Sequence, residues 1–144
     1  MIYIDFSKAF DVVQHDKLFL KLRSYGIGEV SLNWIINLFS NRSFSNKINY
    51  LLSAVANLIC GVIQGSVIGP LMFLIYINDL VVLLSSFGVK VKLFVGDAKL
   101  YVKVVNPFAT DELQRALTAL SQWADEWQLP ISVNKCCTIC IGKD

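Results

Sequence analysis

Two aspartates pose the first chemical question. Asp5 closes an apolar run, Ile2-Tyr3-Ile4, and Asp97 follows Gly96 at the tip of an alternating segment far along the chain. If the strands that carry them are neighbours in one sheet, the two carboxylates converge into an oxygen-ligand site. Such a site suits Mg²⁺, which binds through one or two carboxylates, waters and substrate phosphates. A turn aspartate and a strand terminator have the same spacing, since aspartate is common in turns. Cys137 and Cys140 form a Cys-x-x-Cys pair, which is half a zinc site. His15, the only histidine, has no second histidine beside it, and residues 136–141 also read as a short buried strand.

The elements that must hold these residues follow from periodicity. Residues 1–5 read as a buried strand. Asp16 starts a helix with Leu18, Leu22 and Tyr25 on one face, ended by Gly26; residues 31–39 give a second, with Leu32, Ile35, Ile36 and Phe39 inward. Between residues 43 and 60 two short strands are expected. Pro70 suits a first helical turn, and residues 71–84 are apolar nearly all round, predicting a helix buried on most sides. From Val89 the period becomes two: Val89, Val91, Leu93 and Val95 face one way, Lys90, Lys92 and Phe94 the other. Gly96-Asp97 offers a two-residue turn, after which Leu100, Val102 and Val104 oppose Lys99, Tyr101 and Lys103. Asn106-Pro107 starts a helix whose Leu113, Ala116, Leu117, Leu120, Trp123, Ala124 and Trp127 recur at three and four until Pro130. Short strands at 131–134 and 138–141 close the chain. This order predicts an α+β fold, an antiparallel sheet with helices packed on one face and the other face free to bind.

Composition narrows the class. The 144 residues suit one domain; 55% are apolar and 17% charged, which excludes disorder and a coiled coil. No charge occurs between Lys47 and Asp79, but Asn57, Gln64, Ser66, the glycines and Pro70 break that stretch, so no membrane span is expected. Net charge is only +2, with the basic excess around Asp97 in Lys90, Lys92, Lys99 and Lys103. Met1 opens onto an apolar strand with no signal-peptide order, which makes an intracellular location the expectation.

Five strings occur in order: Tyr3-Ile4-Asp5-Phe6-Ser7-Lys8-Ala9-Phe10-Asp11; Gly61-Val62-Ile63-Gln64-Gly65-Ser66-Val67-Ile68-Gly69-Pro70-Leu71; Ile75-Tyr76-Ile77-Asn78-Asp79-Leu80; Leu93-Phe94-Val95-Gly96-Asp97-Ala98-Lys99-Leu100-Tyr101; and Trp127-Gln128-Leu129 with Asn134-Lys135-Cys136. Along its whole length the chain resembles the palm of reverse transcriptases encoded by non-LTR (LINE-type) retrotransposons. The resemblance implies RNA-directed DNA polymerase chemistry on an RNA template and a DNA primer. Asp5 matches the aspartate that ligates both catalytic Mg²⁺ ions, and the Phe6 carbonyl would complete that ligation. Two such metals, about 4 Å apart, activate the primer hydroxyl and steady the leaving pyrophosphate. Lys8 and Ala9 match residues whose amides face the triphosphate. Phe10 matches the bulky residue under the sugar, although core packing would also explain a phenylalanine there. Gln64 and Gly65 match the loop that contacts nucleotide and template base. Lys135 matches a lysine proposed to protonate pyrophosphate, or is a solvated surface lysine. The lysines of the hairpin, with Phe94 and Tyr101, could lie near nucleic acid or form a solvated face.

The match breaks at one ligand. The family reads Phe-Ala-Asp-Asp where this chain reads Phe94-Val95-Gly96-Asp97. Gly96 stands where the resemblance requires the second indispensable carboxylate, and Asp97 matches the lesser one. Severe loss of catalysis is therefore expected, with the hairpin itself intact. Ile63 replaces the usual proline before Gln64. Residues 1–144 match only part of the reverse transcriptase domain: the preceding fingers segment and the thumb have no counterpart here. Two other readings stand beside a weakened polymerase: a non-catalytic nucleic-acid-binding module, and a decayed retrotransposon relic without a molecular role.

Overall fold

The computed structural model describes residues 1–103 and 108–142. Its elements are β1 (Ile2–Asp5), α1 (His15–Ser24), α2 (Glu29–Phe39), β2 (Ser43–Phe44), β3 (Lys47–Ile48), β4 (Leu51–Leu52), β5 (Ala56–Asn57), α3 (Ile68–Ser85), β6 (Lys90–Phe94), β7 (Asp97–Tyr101), α4 (Phe108–Glu126) and β8 (Cys137–Thr138). The expected helix start at Asn106-Pro107, and Val104, lie outside the described residues.

Four strands form one sheet in the order β6-β7-β1-β8, with every pairing antiparallel. Alternation decides its two faces. Ile2, Ile4, Ala98 and Leu100 are buried, so Tyr3, Asp5, Asp97, Lys99 and Tyr101 take the opposite face. Behind the apolar face lie α3 and α4, with α1 against α3 and α2 against α1. The expected α+β arrangement, with an antiparallel sheet and helices on one face, is what forms.

The core is a helix–sheet sandwich. Leu18 and Leu22 of α1, Leu32, Ile35 and Phe39 of α2, and Ala116, Leu120, Trp123 and Ala124 of α4 are all buried, as their spacing predicts. Each fully buried side chain of Leu or Phe size contributes ~1.5–3 kcal/mol. Tyr25, expected on the inward face of α1, is instead exposed at that helix's C-cap, where its hydroxyl accepts a hydrogen bond from Asn78 Nδ2 at 3.0 Å.

Other boundaries differ as well. α1 and α2 begin at His15 and Glu29, slightly before the expected starts, and α3 begins at Ile68, two residues before Pro70, which lies in its first turn as expected. α3 is also not buried on most sides. Gly69, Met72, Phe73, Tyr76, Ile77, Leu80 and Leu84 form one inward stripe at helical spacing, while Leu71, Leu74 and Val82 stay exposed. The helix is long and apolar enough to cross a membrane by composition, yet that stripe is built into the core. Between residues 43 and 60, four two-residue strands in two small pairs replace the two expected, and all are exposed. Such short pieces bury nothing that would lengthen them.

At the C-terminal side, the strand expected at 131–134 is a single bridge between Phe6 and Ile131 followed by a 3₁₀ turn at Val133–Lys135. The last strand is only Cys137–Thr138 and is exposed. The hairpin turn sits one residue earlier than expected: Phe94 pairs with Asp97, so Val95-Gly96 make the turn and Asp97 opens β7.

Candidate metal and nucleotide site

β1 and β7 run antiparallel in the register Tyr3↔Lys99, Ile4↔Ala98, Asp5↔Asp97. The two aspartates predicted to converge are thus direct cross-strand partners on the face away from the helices. Side chains so placed have Cβ atoms ~4.5–5.5 Å apart, and like charges there repel. A cation relieves that repulsion. Asp5 Oδ1 is buried and has no hydrogen-bond partner among the described residues, so an acceptor is left over for a ligand. Two carboxylates, one of them carrying an oxygen without a hydrogen-bond partner among the described residues, fit a hard cation such as Mg²⁺. They do not supply a third anionic arm, and among the described residues no group of three or more His, Cys, Asp or Glu side chains gathers to hold a metal.

Gly96, beside Asp97 in the turn, has no side chain to offer this face. Its carbonyl accepts a hydrogen bond from Phe6 N–H at 3.0 Å, which continues the β1–β7 ladder past the aspartates. A Cβ built on Gly96 would stand 3.1 Å from Ala9 Cβ, so the glycine lets the loop after β1 close onto the hairpin. The turn carries its strain at the neighbour. Val95 has φ +53, a left-handed conformation that β-branched residues rarely adopt and that costs ~1–3 kcal/mol.

Lys135 reaches Asp5 by a backbone route that the sequence does not display. After α4 the chain runs beside the end of β1: Ser7 N–H donates to the Pro130 carbonyl at 2.7 Å, and Ser132 N–H donates to the Asp5 carbonyl at 2.8 Å. The 3₁₀ turn at Val133–Lys135 then brings Lys135 Nζ within 3.5 Å of Asp5 Oδ1, with side-chain exposures of 68% and 18%. That separation is longer than a charge-assisted hydrogen bond.

The loop after β1 turns tightly. Lys8, exposed and at φ +50, has a carbonyl that accepts from Asp11 N–H at 2.8 Å and Val12 N–H at 3.2 Å. Ala9 is buried, the Phe6 ring packs on Trp123, and Phe10 is half-buried with its ring 4.8 Å from that of Phe73. The second predicted string is strapped to this loop. Val62 N–H donates to the Phe10 carbonyl at 2.7 Å, and a Cβ on Gly61 would lie 2.9 Å from the Asp11 carbonyl, so only glycine allows this approach. Gln64 Nε2 thereby donates to Asp11 Oδ1 at 2.6 Å, whereas Gly65 is exposed with open space around it. A shallow cavity of about 230 Å³ opens beside Gln64, lined by Asp11, His15, Arg42 and Cys60 among others, and it includes neither Asp5 nor Asp97.

One neighbour escaped the sequence reading. Tyr3 shares the face of Asp5, and its phenol is pushed up to about 12, first by its hydrogen bond with Asp97, then by desolvation and by the charges of Asp97 and Asp5. The period of two that placed Asp5 could have found it. Beyond Tyr3 the face turns basic. Lys99 Nζ lies 5.9 Å from the centre of the Tyr3 ring, Lys92 Nζ 5.9 Å from that of Tyr101, and Lys90, Lys92, Phe94 and Lys103 are exposed. Cys137 and Cys140 are exposed free thiols, not part of a buried strand.

The family model for reverse transcriptase (RNA-dependent DNA polymerase) matches residues 1–142. Among curated proteins, the RNA-directed DNA polymerase from mobile element jockey of Drosophila funebris is 30% identical over 145 residues, covering 95% of this chain and 16% of that protein. The jockey polymerase of Drosophila melanogaster is 27% identical over 143 residues, and the probable RNA-directed DNA polymerase from transposon X-element of the same species is 27% identical over 142. The chain spans about 16% of the length of each of these relatives.

Proposed function

Because the chain belongs to the reverse transcriptase (RNA-dependent DNA polymerase) family, we propose that it carries the palm centre of a non-LTR retrotransposon polymerase acting on an RNA template and a DNA primer, with catalysis severely impaired by Gly96. The observation that carries this reading is the Asp5↔Asp97 register with a glycine immediately beside it. Asp5, Asp97 and the Phe6 carbonyl would hold Mg²⁺. When bound, the metal supplies charge neutralisation for in-line phosphoryl transfer. The protein's own part is placement: Lys8 and Ala9 would offer backbone amides to the triphosphate, and Phe10, backed by Phe73, would lie under the sugar. Gln64, anchored on Asp11, would meet the nucleotide together with Gly65. Lys135 would stand ready to protonate pyrophosphate. Removing partners that merely orient metal ligands costs ~10- to 100-fold, so loss of a ligand itself should cost more.

The test is template-directed dNTP incorporation by the purified chain in Mg²⁺ and in Mn²⁺, beside Gly96→Asp and Asp5→Ala. Extension by Gly96→Asp alone is the expected result. Extension by the unmodified chain that Asp5→Ala abolishes would show that two carboxylates suffice. Silence from all three favours a second reading, a non-catalytic nucleic-acid-binding module, which the exposed Lys90, Lys92 and Lys103 support. Its signature is a primer-template affinity that falls steeply with salt.

A further inference from the structure

The geometry points to a second role for Lys135, which rests on the metal reading above: we propose that its ammonium is the resident counter-charge of Asp5 and competes with a divalent cation for that carboxylate. Asp5 and Asp97 face each other across the strand pair, an arrangement that repels unless a positive charge is near. Lys135 Nζ is 3.5 Å from the Asp5 oxygen that lacks a hydrogen-bond partner among the described residues. The ammonium thus lies against the oxygen a metal would use.

Three features make the contact exchangeable rather than fixed. The distance is too long for a charge-assisted hydrogen bond. The lysine side chain is 68% exposed, so its ammonium can swing into water at little cost. Its backbone is held independently of the side chain, by the Lys135 N–H bond to the Ser132 carbonyl at 2.9 Å and the Ser132 N–H bond to Asp5. With glycine at position 96, one ammonium offsets half of the paired negative charge. The site without metal is therefore partly neutralised by the chain itself, and a divalent cation must displace that charge to bind.

Mn²⁺ binding by the full chain, read from loss of the free-ion electron paramagnetic resonance signal, tests this on the unmodified protein, Lys135→Gln, Lys135→Arg and Asp5→Asn. Lys135→Gln should bind about three- to tenfold more tightly, since a unit charge near the ligand is removed but is partly screened by water. Lys135→Arg should keep the original affinity, and Asp5→Asn should weaken binding. If Asp5→Asn weakens binding but Lys135→Gln does not tighten it, the competition is overturned and the metal reading stands. If Lys135→Arg binds as tightly as Lys135→Gln, charge is not the cause and the inference fails. If Asp5→Asn changes nothing, the metal site at Asp5 fails and the inference falls with it.

Discussion

Two lysine–aspartate pairs, one among the helices and one on the far face of the sheet, use the same ions to opposite ends. Lys21 Nζ lies 2.6 Å from Asp79 Oδ1 and also donates to the Tyr76 carbonyl. Its lysine side chain is only 6% exposed and its ammonium sits 3.6 Å from the centre of the Trp127 ring, with Tyr76 and Trp123 close by. Burial pushes the Lys21 pKa down, while the hydrogen bond and charge of Asp79 pull it back up. The pair ties α1 to α3 and to the segment after α4. The Lys135–Asp5 pair is looser and longer, with its lysine end open to water. A satisfied, enclosed pair fixes a fold; an incompletely satisfied one leaves charge available for exchange.

The largest effect should come from opening the enclosed pair. Lys21→Ala removes the cation and its packed stem from among three aromatic rings. Breaking a buried pair costs ~3–5 kcal/mol, and Asp79, whose side chain is 40% exposed, can recover some hydration, so a loss of about 3 kcal/mol is expected in urea denaturation. Lys21→Met keeps the stem and should lose clearly less. Equal losses would mean that packing contributes nothing there.

At the open pair, Gly96→Asp adds a third carboxylate and a Cβ that meets Ala9 at 3.1 Å. The loop must yield by a few tenths of an ångström and like charges crowd together, which together should cost about 1–2 kcal/mol without metal. Mg²⁺ should restore much of that loss, measured as a rise in Tm larger than the unmodified chain shows. A Tm that ignores Mg²⁺ would break the assignment of position 96.

Tyr76 couples the enclosed pair to pH. Its hydroxyl donates to the Trp127 carbonyl at 2.5 Å, and burial pushes its pKa up to about 12. A tyrosine raised above its unfolded value near 10 contributes stability that is whole below pH 10 and is lost as pH rises towards 12. Lys21 has the opposite sign. Its lowered pKa makes stability rise with pH between its folded value and 10.5. Tyr3, also raised to about 12, adds to the alkaline loss. Tyr76→Phe should therefore cost about 1 kcal/mol at neutral pH through the lost hydrogen bond, and flatten part of the decline between pH 10 and 12. Denaturation midpoints across that range check both.

Much of this arrangement was legible in the residues. A period of two over residues 89–101 marks the hairpin strands and their two faces, whereas alternation alone does not select β1 as the neighbour of β7, so the Asp5↔Asp97 register comes from the folded sheet. The turn was displaced by one residue because Gly96-Asp97 has the composition of a turn, whereas a β-branched Val95 at positive φ is what no propensity suggests. Lys135 could be matched to a motif but not placed, since its approach depends on a 3₁₀ turn and two backbone hydrogen bonds made to the β1 end. Lys21 was the harder case. On a helix it reads as one more polar residue, and only the meeting of α1, α3 and the chain after α4 encloses it.

The smallest effect is expected where the contrast is sharpest. If Lys135 is only a local counter-charge, Lys135→Gln removes a loose contact at 3.5 Å whose lysine is 68% exposed and should change stability by about 0.5 kcal/mol or less in metal-free buffer. The lost attraction is small because the pair is too long for a charge-assisted hydrogen bond and its ammonium end lies in water. The same substitution should matter more to cation affinity than to folding, the reverse of Lys21→Met. A drop in Tm comparable to that of Lys21→Met would mean that Lys135 is fixed in the fold as firmly as Lys21, and an ammonium held that firmly would not yield its place to a metal.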